Sequence, residues 1–212
     1  MNFNWNNYKT DKNMSGHGYD HAYDYILSSN RLEIKKVLEI GTRIGSVELW
    51  LNYFPKCKLY GIDLIDPNFI SDRFIFEKIN QGDDSGLKSF IEKHGCNYDV
   101  IIDDGPHTTP EQLISFNILF DTIKSGGVYI IEDLHATEPY DENYLSNRKN
   151  CDYSILDILR EFKNLKYKEN IYLYNLEQIK TQIKDIVIMK GQNNRWPNHV
   201  KECSDIAFIF KK

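Results

Sequence analysis

The feature that most constrains this chain is its alternation of short β-rich runs with stretches of helical periodicity. Seven runs read as strands: 36–40 (KVLEI), 59–64 (LYGIDL), 74–78, 98–104 (YDVIIDD), 128–133 (VYIIED), 185–190 (DIVIMK) and 205–210 (DIAFIF). Helical stretches separate several of them, at 46–54, 85–93 and 154–162, and one more at 20–29 precedes the first. The best-marked helix starts with Thr109 as N-cap, Pro110 at its first position and Gln112 three residues after the cap. Its apolar face runs through Leu113, Phe116, Phe120 and Ile123. Strands that alternate with helices pair in parallel and are covered on both faces. The link 191–204 is too short and polar for a packed crossover helix, so the last two strands are read as an antiparallel pair. The predicted fold is a Rossmann-like α/β domain spanning 1–212. It has a seven-stranded, mostly parallel sheet with an antiparallel last strand and helices on both faces. Residues 1–30 form an N-terminal cap segment, and the polar stretch 135–152 reads as an active-site loop.

Acids gather where such a sheet binds ligands. Four runs finish in a carboxylate: Glu39, Asp63, Asp103 with Asp104, and Glu132 with Asp133. Open α/β sheets bind ligands outside the carboxyl ends of their strands, and acids meeting there repel one another unless a ligand or cation satisfies them. One such acid is what turn preference alone produces; the coincidence on four strands points to a site. The first lies in Glu39-Ile40-Gly41-Thr42-Arg43-Ile44-Gly45, followed by Ser46. Gly41 and Gly45 admit a close ligand, and the helix start beyond them offers unpaired N–H groups beside Thr42 and Ser46. Arg43 stands where a dinucleotide fingerprint has its middle glycine, which argues against pyrophosphate. Asp63 is placed to accept ribose hydroxyls of an adenosine. Asp83 faces the adenine edge or is a plain turn acid.

Charge and cysteine usage narrow the partners. The chain has 26 basic and 31 acidic side chains, a net charge of −5, which disfavours a general nucleic-acid binder. The four cysteines are scattered without a Cys-x-x-Cys pair, which fits a reducing cytoplasm. No signal core or bilayer-spanning run is present, so no membrane partner is expected.

Several stretches together resemble the sugar O-methyltransferases of macrolide and aminocoumarin biosynthesis and the related cephalosporin-hydroxylase-like family. They are Thr10-Asp11-Lys12 with His17-Gly18-Tyr19, then VLEIGTRIGSVELW, YFPKCKLYGID, IIDDGPH and GGVYIIEDLH, over roughly residues 10 to 135; the last third matches less clearly. The resemblance implies a class I methyltransferase fold, S-adenosylmethionine as donor and Mg²⁺ or Mn²⁺ at the acceptor site. It makes Asp104, Glu132 and Asp133 the metal ligands, and His107 the general base beside Asp104. Glu39 would hold the donor's amino-acid end, Asp63 its ribose, and Asp103 would join the donor site. Pro106 departs from the serine usual in the family. The long extra N-terminal domain of some relatives is not expected here, so contacts of a homo-oligomer do not transfer.

The residues themselves support that reading. Strands ending at Asp104 and Asp133 should be neighbours about 4.8 Å apart, and oxygen ligands there suit Mg²⁺, Mn²⁺ or Ca²⁺ rather than zinc. His135 reads as a substrate contact or a loop histidine. His17 and Tyr19 cover donor or acceptor, or form a helix entry. His94 and His199 read as surface residues. The expected activity is metal-assisted methylation of a hydroxyl on a sugar or nucleotide-sugar, with a phosphorylated small molecule or an amine as alternative acceptors. Two rivals come from other classes: an NAD-dependent sugar-modifying enzyme, opposed by Arg43, and a non-catalytic Rossmann-like binding protein, opposed by the set Asp104, His107, Glu132 and Asp133.

Overall fold

A computed structural model describes residues 3–139, 141, 143–164, 175–192 and 205–212. The Trp196-Pro197 link, His199 and Cys203 lie outside the described residues. The strands are β1 (Lys36–Ile40), β2 (Lys58–Asp63), β3 (Phe74–Lys78), β4 (Tyr98–Asp103), β5 (Ile123–Ile131), β6 (Ile183–Lys190) and β7 (Asp205–Lys211). They form one sheet in the order β3-β2-β1-β4-β5-β7-β6. The first five pair in parallel, and β7 lies antiparallel between β5 and β6. The chain reverses its direction of winding between β1 and β4, and a sheet of this kind opens its ligand crevice there.

Helices α1 (Asp20–Leu27), α2 (Ile44–Tyr53), α3 (Asp84–His94), α4 (Thr109–Leu119), α5 (Tyr144–Arg148), α6 (Ile155–Asn164) and α7 (Leu176–Gln182) surround the sheet. Two apolar layers result. Val37, Val100, Ile102 and Ile130 pack with Trp5, Tyr23 and Trp50 on one face. Leu38, Ile101, Tyr129 and Ile131 pack with Leu113, Phe116 and Leu159 on the other. Adjacent strand residues fall in opposite layers, as the period of two requires. No helix among the described residues is long and apolar enough to cross a membrane.

Three expectations change. Helix α4 begins one residue earlier than read, with Thr108 at the cap and no side-chain cap bond; Gln112 is buried with its amide unbonded rather than closing a capping box. Ile123 is not on that helix. A 3₁₀ turn at Phe120–Thr122 ends the helical run, and Ile123 opens β5 opposite Tyr98. Residues 135–152 are not a plain loop either, since they hold most of a 3₁₀ turn at Leu134–Thr137 and all of α5.

Candidate active site

Two cavities open at the carboxyl ends of the strands. The first has Gly41, Asp63, Asn80 and Gln81 in its walls. The second has Lys9, Ser46, His107 and Asp133. Arg43, Asp104 and Gly105 line both, so they form a common wall. That wall depends on Gly41: at φ +84° it lets the Asp104 carbonyl pass where a β-carbon would overlap it. The Asp104 amide donates to the Ile40 carbonyl at 2.9 Å, fixing the loop after β4 against β1.

Strand alternation sorts the acids. Asp103 shares the face of Ile101 and points away from both cavities. Its carboxylate accepts from the Gln81 amide at 2.6 Å, the Ser115 hydroxyl at 3.0 Å and the Tyr129 hydroxyl at 3.3 Å. Burial raises it to about 6 against those bonds. Glu39 and Glu132 lie on the opposite face, beneath the N-terminal layer. Glu39 is sealed, accepting from Trp50 Nε1 at 2.7 Å and Ser46 Oγ at 2.8 Å. Burial pushes it up to about 8, although the nearby Lys12 opposes the shift. Neither Asp103 nor Glu39 lines a cavity, because alternation and packing turn each toward partners inside the fold. Thr42 is also internal, its hydroxyl donating to the Glu39 carbonyl at 3.0 Å. Asp83 is exposed at the start of α3 and accepts from the Ser85 hydroxyl at 2.8 Å, a turn acid rather than a wall of the first cavity. Gly41 and Asp63 line the first cavity, and Gly45 and Ser46 the second.

Asp104, His107 and Asp133 come together. His107 Nε2 is 3.4 Å from Asp133 Oδ2 and 3.9 Å from Asp104 Oδ1. One ligand atom from each of the three lies within 4.8 Å of the others. His17 Nδ1 and His135 Nδ1 approach Asp133 Oδ1 at 3.4 Å and 3.8 Å, giving a second such group. Burial opposes ionisation of Asp133, yet the charges of His107, His17 and His135 and the Tyr19 hydroxyl outweigh it and hold its pKa below the ordinary value. Asp104 moves the other way, raised by burial against Lys12 and His107. His107 and Asp133 both adopt positive φ, +55° and +52°. Non-glycine residues held there cost about 1–3 kcal/mol each and concentrate at functional sites.

Tyr19 is fully buried, so it supports the site instead of covering a ligand. Its hydroxyl donates to Asp133 Oδ1 at 2.6 Å. Tyr23, four residues on and on the same helical face, donates to Glu132 Oε1 at 2.5 Å. Thus α1 and its N-cap residue bond both members of the Glu132–Asp133 pair. His94 is not on the surface as read: its side chain is 9% exposed, with Nε2 3.0 Å from Glu77.

Sequence reasoning gave no role to Lys12, Tyr23, Gln81 or Lys9. Lys12 sits in the quoted Thr10-Asp11-Lys12 stretch, the one signal available. Its ammonium bonds Asp104 Oδ2 at 2.6 Å and Glu132 Oε2 at 2.7 Å, and its side chain is 1% exposed. Burial works against its charge, but Asp104, Glu132, Glu39 and Asp11 outweigh that and keep it protonated. Glu132 is raised by burial and by repulsion from Asp104, with Lys12 opposing.

No protein-family model matches the chain. It is 33% identical over 137 residues to L-olivosyl-oleandolide 3-O-methyltransferase of Streptomyces antibioticus, covering 59% of this chain and 35% of that one. Over 127 residues it is 32% identical to a tetracenomycin-C 3′-O-methyltransferase of Streptomyces olivaceus that acts on the 2-methoxy-rhamnosyl compound, with coverages of 56% and 32%. The chain therefore spans about a third of the length of these curated relatives. Among solved structures, MycE methyltransferase from the mycinamycin pathway, in complex with Mg and SAH, superposes with a TM-score of 0.75 at 23% identity, over 97% of this chain and 53% of that one. An O-methyltransferase from Bacillus cereus in complex with SAH gives 0.56 at 14% identity, over 91% and 81%. The chain has the fold of the class I, Rossmann-like methyltransferases, and in sequence it is similar to sugar O-methyltransferases of macrolide and tetracenomycin pathways.

Proposed function

We propose that this chain transfers a methyl group from S-adenosylmethionine to a hydroxyl of a sugar or nucleotide-sugar, beside a divalent cation. One observation carries the proposal: Asp104 stands in the wall between two cavities, with His107 and Asp133 around it. The first cavity suits an adenosine, with Asp63 for the ribose hydroxyls and Asn80 and Gln81 beside the base. In the second, Lys9 and Arg43 supply cations for the carboxylate of the donor's methionyl end; Glu39, expected to hold that end, is sealed under α2 and lines neither cavity. The curated relatives methylate sugar hydroxyls, and MycE was solved with Mg and SAH, which supports the same donor and ion here.

The donor set fits a hard divalent ion. Asp104 and Asp133 offer carboxylate oxygens at the cavity wall, with His107 alongside. Such an ion, when bound by Asp104 and Asp133, lowers the pKa of a hydroxyl beside it. The chain's own groups do the rest. The walls orient donor and acceptor in line, where effective concentration supplies much of the rate. His107 takes the hydroxyl proton at Nε2, the nitrogen that faces the carboxylates, and Asp133 stabilises the imidazolium formed. The oxygen then bonds to the methyl carbon as the carbon–sulfur bond breaks, leaving a neutral thioether. The scattered cysteines, without a Cys-x-x-Cys pair, support a reducing compartment, and the net charge of −5 supports a small-molecule acceptor over nucleic acid.

Thermal unfolding with S-adenosylhomocysteine or NAD⁺ tests the donor, because a ligand of the folded state raises the midpoint. A rise with S-adenosylhomocysteine alone is expected; a rise with NAD⁺ alone would favour the NAD-dependent sugar-modifying enzyme. Mass spectrometry of nucleotide-linked sugars incubated with isotope-labelled donor and Mg²⁺ tests the acceptor. Donor binding with no transfer to sugars, phosphorylated metabolites or amines would favour a non-catalytic binding protein.

A further inference from the structure

Glu132 matches the resemblance's metal ligand by sequence, yet both its oxygens are already engaged. Oε2 accepts from Lys12 at 2.7 Å and Oε1 from Tyr23 at 2.5 Å, and the side chain is 2% exposed. Lys12 also takes Asp104 Oδ2, leaving Oδ1 as the oxygen nearer His107. Among the described residues, neither group that could hold a metal includes Glu132; both are built on Asp133. A charge this deeply buried is costly to keep unless it is paired on all sides. Lys12 is paired with two acids that are 92 and 120 residues distant in sequence.

We propose that Lys12 is a resident cation of the site, which withdraws Glu132 from the metal's ligand set and leaves Asp104 and Asp133 as its carboxylate ligands. The inference rests on the proposed reading that a divalent ion binds here. The geometry favours it. Lys12 takes one oxygen of Asp104 and one of Glu132, Tyr23 takes the other oxygen of Glu132, and an ion is left with the free oxygens of Asp104 and Asp133. Lys12 also comes from the N-terminal segment, so the ammonium and the strand-end acids lock that segment over the site. Lys12 acts through Asp104 and Glu132, and it is a positioning residue.

Manganese(II) titrations of the whole chain, followed by electron paramagnetic resonance of the free ion, provide the test, with circular dichroism to confirm folding. Glu132→Gln keeps the shape of the bonded group but removes a nearby negative charge and should weaken binding by no more than about tenfold, while Asp133→Asn, which removes a direct ligand as well as a charge, should weaken it by about a hundredfold or more. Lys12→Met removes a neighbouring positive charge and frees Glu132, so a folded variant should bind Mn²⁺ at least about tenfold more tightly. Equal losses in Glu132→Gln and Asp133→Asn would overturn the proposal, as would unchanged or weaker binding in folded Lys12→Met. Should a variant fail to fold, anomalous diffraction from a Mn²⁺-soaked crystal of the unsubstituted chain decides. A peak at Asp104 and Asp133, with Lys12 still on Glu132, is expected; a peak ligated by Glu132 with Lys12 displaced overturns it. S-adenosylhomocysteine binding, followed by calorimetry, reports separately on the methyltransferase reading.

Discussion

Three imidazoles and a phenol surround the Asp133 carboxylate, and the backbone beneath it is held at positive φ. Such an arrangement is maintained only where surrounding contacts over-determine it. His107→Ala should lower methyl transfer by about 10²–10⁴-fold, the usual worth of a positioned base. S-adenosylhomocysteine affinity should be largely retained by calorimetry, because the groups proposed to hold it are Asp63, Asn80, Gln81, Lys9 and Arg43 rather than His107. Glu39 allows a different measurement. Its folded-state pKa of about 8 lies above its ordinary 4.5, so the folded chain binds the proton more tightly. Its contribution is therefore complete below about pH 4.5 and falls as pH rises toward about 8. Glu39→Gln should flatten the decline of thermal midpoint between pH 5 and 8 relative to the unsubstituted chain, as followed by circular dichroism.

Among the elements, the turn after β1 bears the tightest demand. Gly41→Ala imposes a left-handed backbone and an overlap with the Asp104 carbonyl, so it should cost about 2–4 kcal/mol and abolish S-adenosylhomocysteine binding. Gly126 also has positive φ, at +77°, but nothing lies within 4 Å of an added β-carbon. Gly126→Ala should cost about 1–2 kcal/mol and leave binding intact; urea unfolding and calorimetry distinguish the two. All seven strands were legible because each joins an apolar run to a turn, and the antiparallel β7 followed from its short link. Helices α5 and α7 were not legible: at five and seven residues they are too short for propensity alone, and α5 buries none of its residues but is tied down by Asn147 and Arg148, which donate to the Ala136 and Thr137 carbonyls. The site was legible in part. The run Tyr98–Asp103 shows by alternation that Asp103 and Asp104 face opposite ways, yet sequence alone does not say which layer holds the ligand. Register places Asp103 beside Ile131, and so Asp104 beside Glu132. Lys12 was out of reach, because nothing local marks a partner 92 residues away.

On the scale of the whole molecule, the N-terminal segment is structural as well as chemical. Trp5 is 4% exposed, packs among Tyr23, Trp50 and Tyr53, and donates to Asp24 at 3.1 Å. Removing residues 1–19 uncovers that aromatic layer and also removes Lys12 and Tyr19. A loss of at least about 3 kcal/mol is expected in urea unfolding, from Trp5 burial and the severed acid contacts. The shared wall of Arg43, Asp104 and Gly105 has a consequence of its own. A partition touched from both compartments cannot report on one occupant without informing the other. Whatever factor Mn²⁺ applies to the dissociation constant of S-adenosylhomocysteine, the nucleoside must apply to that of the ion, since linkage runs equally in both directions. Two calorimetric titrations, each with the other ligand saturating, should return one common factor different from unity; a factor of one would mean the two chambers are thermodynamically deaf to each other.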